Sequence, residues 1–237
     1  MLKTSRQNAL LIAIAAIPPY SGGMPKHAFS HVSQWVFDLD NTLYHPSARL
    51  FNQIEVKMTA YVMDALKVDR AEADRLRSHY WREHGTTLAG LMREHDLDPE
   101  PYLDAVHDIS MDHLEEDAAL AAGIRNLPGK KIVYTNGSAP YAERVLAARG
   151  LSGLFDGVFG VEHADYHPKP ERRAFDKVFA RAGVAPQQAA MFEDDARNLA
   201  APHEMGMRTV HVAPEPLAAA HIHHHSDDLA GFLAKLI

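Results

Sequence analysis

The chain has 237 residues and a mass of 26.3 kDa, 46% hydrophobic and 23% charged. At roughly 150 residues per domain it reads as one large domain, or one domain with an insertion, able to bury a core without cross-links. It has no cysteine, which excludes disulfide frameworks, thiolate metal sites, iron–sulfur clusters and a cysteine nucleophile. The net charge of −7 offers no basic field to a nucleic acid polymer or an acidic membrane surface, so chemistry falls to carboxylates, hydroxyls, lysine, arginine and 16 histidines.

The first segment, residues 1–30, is set apart as a tail. Ala9 to Ile17 form an apolar run behind Lys3 and Arg6 and before Pro18-Pro19. Nine residues fall short of the roughly 20 that span a bilayer, so no membrane partner is expected. Two readings stay open: a weak signal-like segment lacking an Ala-x-Ala cleavage pattern, or a tail ahead of a true start at Met24. The second goes with a cytoplasmic location.

Five strands are then expected in order: Gln34–Leu39, Lys131–Thr135, Gly157–Val161, Ala189–Glu193 and Arg208–Val212. The first four are continuous apolar runs, as in parallel strands buried on both faces. Arg208 and His211 interrupt the last. Helical stretches at Ala139–Arg149, Glu171–Ala182 and Ala196–Met205 alternate with the later strands, which argues for a parallel α/β sheet with right-handed crossovers. Roughly 90 residues between the first two strands break this rhythm. There Leu50, Ile54, Met58, Tyr61, Val62 and Leu66 recur at helical spacing. Arg70–Glu83, Thr87–Glu94 and Pro101–Asp108 read as further helices. The expected division is therefore a sheet domain of residues 31–45 and 129–237, with a helical insertion over 46–128. His221, His223, His224 and His225 precede a terminal helix from Asp227; they read as a surface edge before an N-capped helix.

Chemistry-bearing residues gather at the predicted strand ends, where open parallel sheets bind ligands. Asp38-Leu39-Asp40-Asn41-Thr42 follows the apolar Trp35-Val36-Phe37. Aspartates at i and i+2 of an extended strand share one side. Close carboxylates repel unless a cation neutralises them, and two carboxylates with a backbone carbonyl suit Mg²⁺. Thr135-Asn136-Gly137 ends the second strand in a turn able to bind phosphate oxygens through a hydroxyl and backbone N–H groups. Lys169 lies between Pro168 and Pro170, and Pro170 suits the first position of a helix. Glu193-Asp194-Asp195, with Asn198 beyond, is an acidic run that needs a cation or lysine nearby unless it caps a helix.

In this order the motifs resemble those of the haloacid dehalogenase superfamily of phosphohydrolases. The likeness runs from about Gln34 to the C-terminus. Phe37 to Tyr44, Gly85 to Leu91, and Phe192-Glu193-Asp194 with Asn198-Leu199 look most like its pyrimidine 5′-nucleotidase branch. The resemblance implies a Rossmann-like core sheet with an inserted helical cap, and Mg²⁺ as cofactor. It implies Asp38 as a nucleophile that becomes an aspartyl phosphate, and Asp40 as general acid and then base. Thr42, Thr135, Asn136 and Lys169 would bind phosphate, with Thr42 supporting the bend that orients Asp40. Asp38, the Asp40 carbonyl and Asp194 would hold the metal, and Glu193, Asp195 and Asn198 would support the site, Glu193 or Asp195 holding Lys169. Asp40 argues against dehalogenation, since the dehalogenases lack this second aspartate.

The expected partner is a small phosphorylated metabolite, a nucleoside monophosphate of the UMP or CMP type, with the protein a monomer or homodimer. In the cap, Tyr44, Arg49, Tyr80, His84, Gly85, Thr86 and Thr87 are candidates to meet ribose or base. Alternatives are a phosphatase or phosphomutase acting on phosphoglycolate or a sugar phosphate, and a non-catalytic phospho-ligand module. A phosphoaspartate receiver fits less well, because receivers are smaller and carry their acid pair early in the chain.

Overall fold

The computed structural model describes residues 25–237, so the apolar run of Ala9 to Ile17 and the candidate start at Met24 lie outside the described residues. A short helix α1 (Pro25–Ala28) leads into β1 (Gln34–Phe37). The other strands are β2 (Lys130–Tyr134), β3 (Gly157–Phe159), β4 (Ala189–Glu193), β5 (Arg208–Val212) and β6 (His224–Ser226). All pair in parallel, in the order β3-β2-β1-β4-β5-β6. The chain thus has the expected parallel α/β architecture. β1 lies between β2 and β4, at the point where the strand order reverses and the carboxyl ends of the strands open a crevice.

Continuous apolar strands have two faces to bury, and alternation along each strand divides them. Trp35, Phe37, Val133 and Phe192 pack on one side with Tyr141, Val145, Leu146 and Phe232. Val36, Ile132, Tyr134 and Met191 pack on the other with Phe175, Val178 and Phe179. The first side is covered in part by α7 (Ala139–Ala148) and α10 (Leu229–Ala234), the second by α8 (Arg172–Ala182).

Between β1 and β2 run α2 (Leu50–Leu66), α3 (Arg70–His84), α4 (Thr87–His95), α5 (Pro99–His107) and α6 (Ala118–Asn126). Asp69, Thr86, Asp98 and Asp117 each cap the next helix by accepting a backbone N–H. α2 packs on α3 and α5, and α3 on α4. α6 instead lies against α10, with Gly123 backed by Leu233, and so shares the sheet's own helix layer. No helix of the described residues is long and apolar enough to cross a membrane.

Several local expectations need correction. The third strand stops at Phe159, and Val161–Ala164 form a 3₁₀ turn. Gly160 permits this passage, since a Cβ there would lie 2.4 Å from Ala139 N and 2.8 Å from Gly137 O. The stretch after Asp195 is a 3₁₀ turn (Ala196–Leu199) followed by the short α9 (Ala200–Glu204). Pro170 does not start a helix, because α8 begins at Arg172 behind Glu171. Three histidine-rich residues form β6, which needs only one neighbour at the sheet edge; Asp228 then caps α10.

Candidate active site

The chain leaves β1 still paired, Asp38 N–H donating to Phe192 O at 2.9 Å, and then turns sharply. Asn41 adopts φ 61°, and Thr42 and Leu43 N–H both return to Leu39 O. The bend brings Asp38 and Asp40 to one cavity of about 740 Å³, lined also by Thr135, Asn136, Lys169, Glu193, Asp194, Asp195 and Asn198.

Lys169 is the buried hub, 1% exposed. Its ammonium donates to Asp38 Oδ1 and Glu193 Oε2, both at 2.6 Å, and to Tyr134 O at 3.1 Å. Burial works against its charge, but Asp38 and Glu193 outweigh burial and hold its pKa above the ordinary lysine range. Asn136 fixes the backbone around it: Oδ1 accepts from Lys169 N–H at 2.8 Å and Nδ2 donates to Lys169 O at 3.1 Å. Thr135 Oγ1 accepts from Gly137 N–H at 2.9 Å, forming a tight turn at the end of β2.

The acidic run divides its work. Glu193 holds Lys169 and accepts from Asn198 Nδ2 at 3.1 Å and Asp195 N–H at 3.2 Å. Asp194 accepts from Asn41 Nδ2 at 3.3 Å, and its carbonyl meets His211 Nε2 at 2.9 Å. Asp195 does not hold Lys169; it caps the following turn and pairs with Arg197 at 2.6 Å. The Arg197 guanidinium in turn lies 3.6 Å from the Trp81 ring centroid, bringing α3 to the sheet domain.

Burial, and then the charge of Asp38, push Asp194 up to about 7 and Glu193 well above its usual range. The same two causes raise Asp40 to about 6, against hydrogen bonds from Tyr141 and Tyr44. Ligand oxygens of Asp38, Glu193 and Asp194 lie within 4.8 Å of one another, and Asp38 Oδ2 is buried with no hydrogen-bond partner among the described residues. One ammonium against three carboxylates leaves excess negative charge, and the donors are all hard oxygens. This set fits a divalent cation such as Mg²⁺.

The other predicted residues separate into two groups. Gly85, Thr86 and Thr87 line the cavity. Gly85 has φ 87° and lies close to the Lys169 loop, where a Cβ would be 3.3 Å from Lys169 O and 3.4 Å from Pro168 Cγ. Thr42, Tyr44, Tyr80, Arg49 and His84 do not line it. The Thr42 hydroxyl is buried in the turn, with no partner among the described residues, and stands outside the cavity lining. Tyr44 faces Asp40 instead of a ligand, at 2.7 Å. Tyr80 is fully buried, its ring fills the notch at Gly90, and its hydroxyl meets His95 Nε2 at 2.6 Å. His84 bonds Glu94 on the outer surface, where His79 shares the same Oε1.

Tyr141 and His107 escaped sequence reasoning. Tyr141 donates to Asp40 Oδ1 at 2.6 Å, although 101 positions separate them. His107, at the end of α5, lies flat against Tyr141; burial, and then Arg144, hold its pKa down to about 4. No local pattern announces either contact, because each depends on α7 and α5 meeting the β1 turn. The C-terminal histidines serve structure: His223 bonds Thr209, and His225 meets Ala213 O.

A family model for haloacid dehalogenase-like hydrolases matches residues 35–206. The chain is 27% identical over 187 residues to Phosphate metabolism protein 8 of Saccharomyces cerevisiae, covering 72% of this chain and 58% of that protein. It is 31% identical over 127 residues to Fructose-1-phosphate phosphatase YqaB of Escherichia coli, covering 51% of this chain and 66% of that one. It thus spans less than two thirds of either relative. Among solved structures, CbbY from Rhodobacter sphaeroides in complex with phosphate matches with a TM-score of 0.61 and 20% identity, over 86% of this chain and 99% of that one, a likeness of fold.

Proposed function

The chain belongs to the haloacid dehalogenase-like hydrolases, and from that premise we propose that it is a Mg²⁺-dependent phosphomonoester hydrolase acting on pyrimidine nucleoside 5′-monophosphates. The observation that carries the hydrolase reading is Asp38 at the end of the central strand, held by Lys169 at 2.6 Å, with Asp40 on the same cavity.

A carboxylate oxygen of Asp38 bonds to phosphorus as the ester P–O bond breaks. The electron pair leaves with the ester oxygen, which takes a proton from Asp40. Water then attacks phosphorus, gives a proton to Asp40, and the Asp38–phosphorus link breaks to release phosphate. Two easier displacements replace one difficult one. Lys169 offsets the charge that a phosphate dianion brings to Asp38, while Thr135 and the N–H of Asn136 are the candidates to bind its oxygens. Asp38, Asp194 and the Asp40 carbonyl would hold Mg²⁺, which supplies charge neutralisation and orients the phosphoryl oxygens.

In this reading α2 to α5 of the 46–128 insertion supply the cap that shields the site from water, while α6 belongs to the sheet's helix layer. The Gly85-Thr86-Thr87 turn meets the leaving group. The resemblance of the Phe37–Tyr44 and Gly85–Leu91 strings supports the pyrimidine substrate, and the cavity of about 740 Å³ has room for a nucleotide. A second reading, a sugar phosphate, is favoured by the 31% identity to a fructose-1-phosphate phosphatase.

Specificity constants for UMP, CMP, dUMP, AMP, phosphoglycolate and fructose 1-phosphate, with and without Mg²⁺, test both. UMP or CMP should rank first. Asp38→Asn should show no turnover, and Asp40→Asn should lose at least about 10²-fold. Fructose 1-phosphate ranking first would replace the nucleotidase reading, and a fully active Asp38→Asn would remove the mechanism.

A further inference from the structure

Asp40 is held unlike the other carboxylates of the site. Asp38 and Glu193 meet an ammonium, and Asp194 meets an amide. Asp40 meets two phenols, and both donate to the same oxygen: Tyr44 OH at 2.7 Å and Tyr141 OH at 2.6 Å from Oδ1. Tyr44 is 2% exposed and Tyr141 1%, and neither lines the cavity, so neither is set to touch a substrate.

The second phenol is itself braced. Tyr141 N–H donates to Ser138 Oγ at 3.4 Å, and Ser138 Oγ meets His107 Nδ1 at 3.1 Å. The His107 ring lies on the Tyr141 ring with centroids 4.3 Å apart and planes 5° from parallel. Gly137 closes the stack, since a Cβ there would be 3.0 Å from Tyr141 Cδ1 and 3.3 Å from His107 Nε2. Side-chain freedom that would let the phenol swing away is thereby removed.

A carboxyl oxygen offers two in-plane acceptor sites. With two phenols on Oδ1 both are filled, and a proton carried by Asp40 belongs on Oδ2. We propose that Tyr44 and Tyr141 are positioning residues, which fix the plane of the Asp40 carboxyl and reserve Oδ2 as the oxygen that gives and takes the proton. The inference rests on the phosphohydrolase reading above. Both phenolic protons stay on tyrosine throughout. As the ester P–O bond breaks, its electron pair goes to the leaving oxygen, which takes the Oδ2 proton. In the second displacement the proton lost by water returns to Oδ2.

The demand for that proton grows with the basicity of the leaving oxygen, which separates positioning from general support of the fold. The test is kcat/KM for p-nitrophenyl phosphate, phenyl phosphate and an alkyl phosphate, which reports phosphoryl transfer to Asp38, in wild type, Tyr44→Phe and Tyr141→Phe. Each variant should lose about 10–100-fold on the alkyl ester, part of the roughly 10²–10⁴-fold that general acid catalysis supplies. It should lose several-fold less on the nitrophenyl ester, so log kcat/KM falls more steeply with leaving-group pKa. Should one variant fail to fold, the other carries the comparison. An equal loss across the series, or no loss, overturns the proposal while leaving the hydrolase reading intact. A wild type that hydrolyses no ester overturns the hydrolase reading, and this one with it.

Discussion

His107 sits behind Tyr141, neutral because its ring is buried and faces Arg144. A free histidine takes up a proton near pH 6.5, whereas this one resists until about 4. Between those values the unfolded chain binds a proton that the folded chain refuses. The stability His107 contributes is therefore complete above 6.5 and lost as the pH falls toward 4. Relative to His107→Gln, wild type should lose about 2 kcal/mol more between pH 7.5 and pH 5. Urea unfolding of both proteins at the two pH values measures this; equal losses would contradict it. Comparing variants cancels the opposing effect of the raised carboxylates Asp40 and Asp194, which favour folding as the pH falls. The residues that carry charge were readable at this scale: Asp38, Asp40, Lys169, Glu193 and Asp194 are types that need partners, at strand ends where partners meet. Tyrosine gives no such hint. Tyr44 and Tyr80 suit ligand contact and interior hydrogen bonding equally well, and the structure put both inside.

Among the elements, the α3–α4 pair shows how a small residue sets helix spacing. Tyr80 is fully buried and its ring occupies the space over Gly90, where a Cβ would lie 2.1 Å from Cγ. Alanine at 90 favours the helix by about 1 kcal/mol, yet must push α3 and α4 apart. Gly90→Ala should therefore destabilise the protein by about 1–3 kcal/mol, read from the denaturant midpoint at unchanged slope. A neutral or stabilising result would mean that Tyr80 can move aside. The turn joining these helices packs on the Lys169 loop at Gly85, and Arg93 of α4 pairs with Glu171 beside that loop. Helix periodicity was legible here, whereas the caps at Asp69 and Thr86 emerged from the structure. The edge strand β6 was not, because His223-His224-His225 lacks the apolar run that marks a central strand.

At the scale of the molecule, the net charge of −7 has a concentrated part. Asp38, Glu193 and Asp194 come from two neighbouring strands to within 4.8 Å, around a single ammonium. A cation that binds only the folded arrangement stabilises it by mass action. Mg²⁺ at about 100 times its Kd should raise the unfolding free energy by about 2.7 kcal/mol over protein in EDTA. Thermal unfolding with and without the metal measures the effect, and Asp194→Asn should remove most of it. A transition unmoved by Mg²⁺ in wild type would count against Asp38 and Asp194 as its ligands.

The parallel α/β sheet, the long helical insertion after the first strand, and the identity of the charged groups at the strand ends can be read along the chain. These follow from local quantities: apolar run length, helical spacing, and the cost of leaving acids unpaired. Which neighbour each group has depends on how the chain packs. That packing gave Glu193 rather than Asp195 to Lys169, turned Tyr44 and Tyr141 onto one oxygen of Asp40, and laid His107 against Tyr141. Those pairings join residues up to 101 positions apart. They are fixed when strand order and helix packing bring distant segments into contact, and no periodicity along the chain records that event.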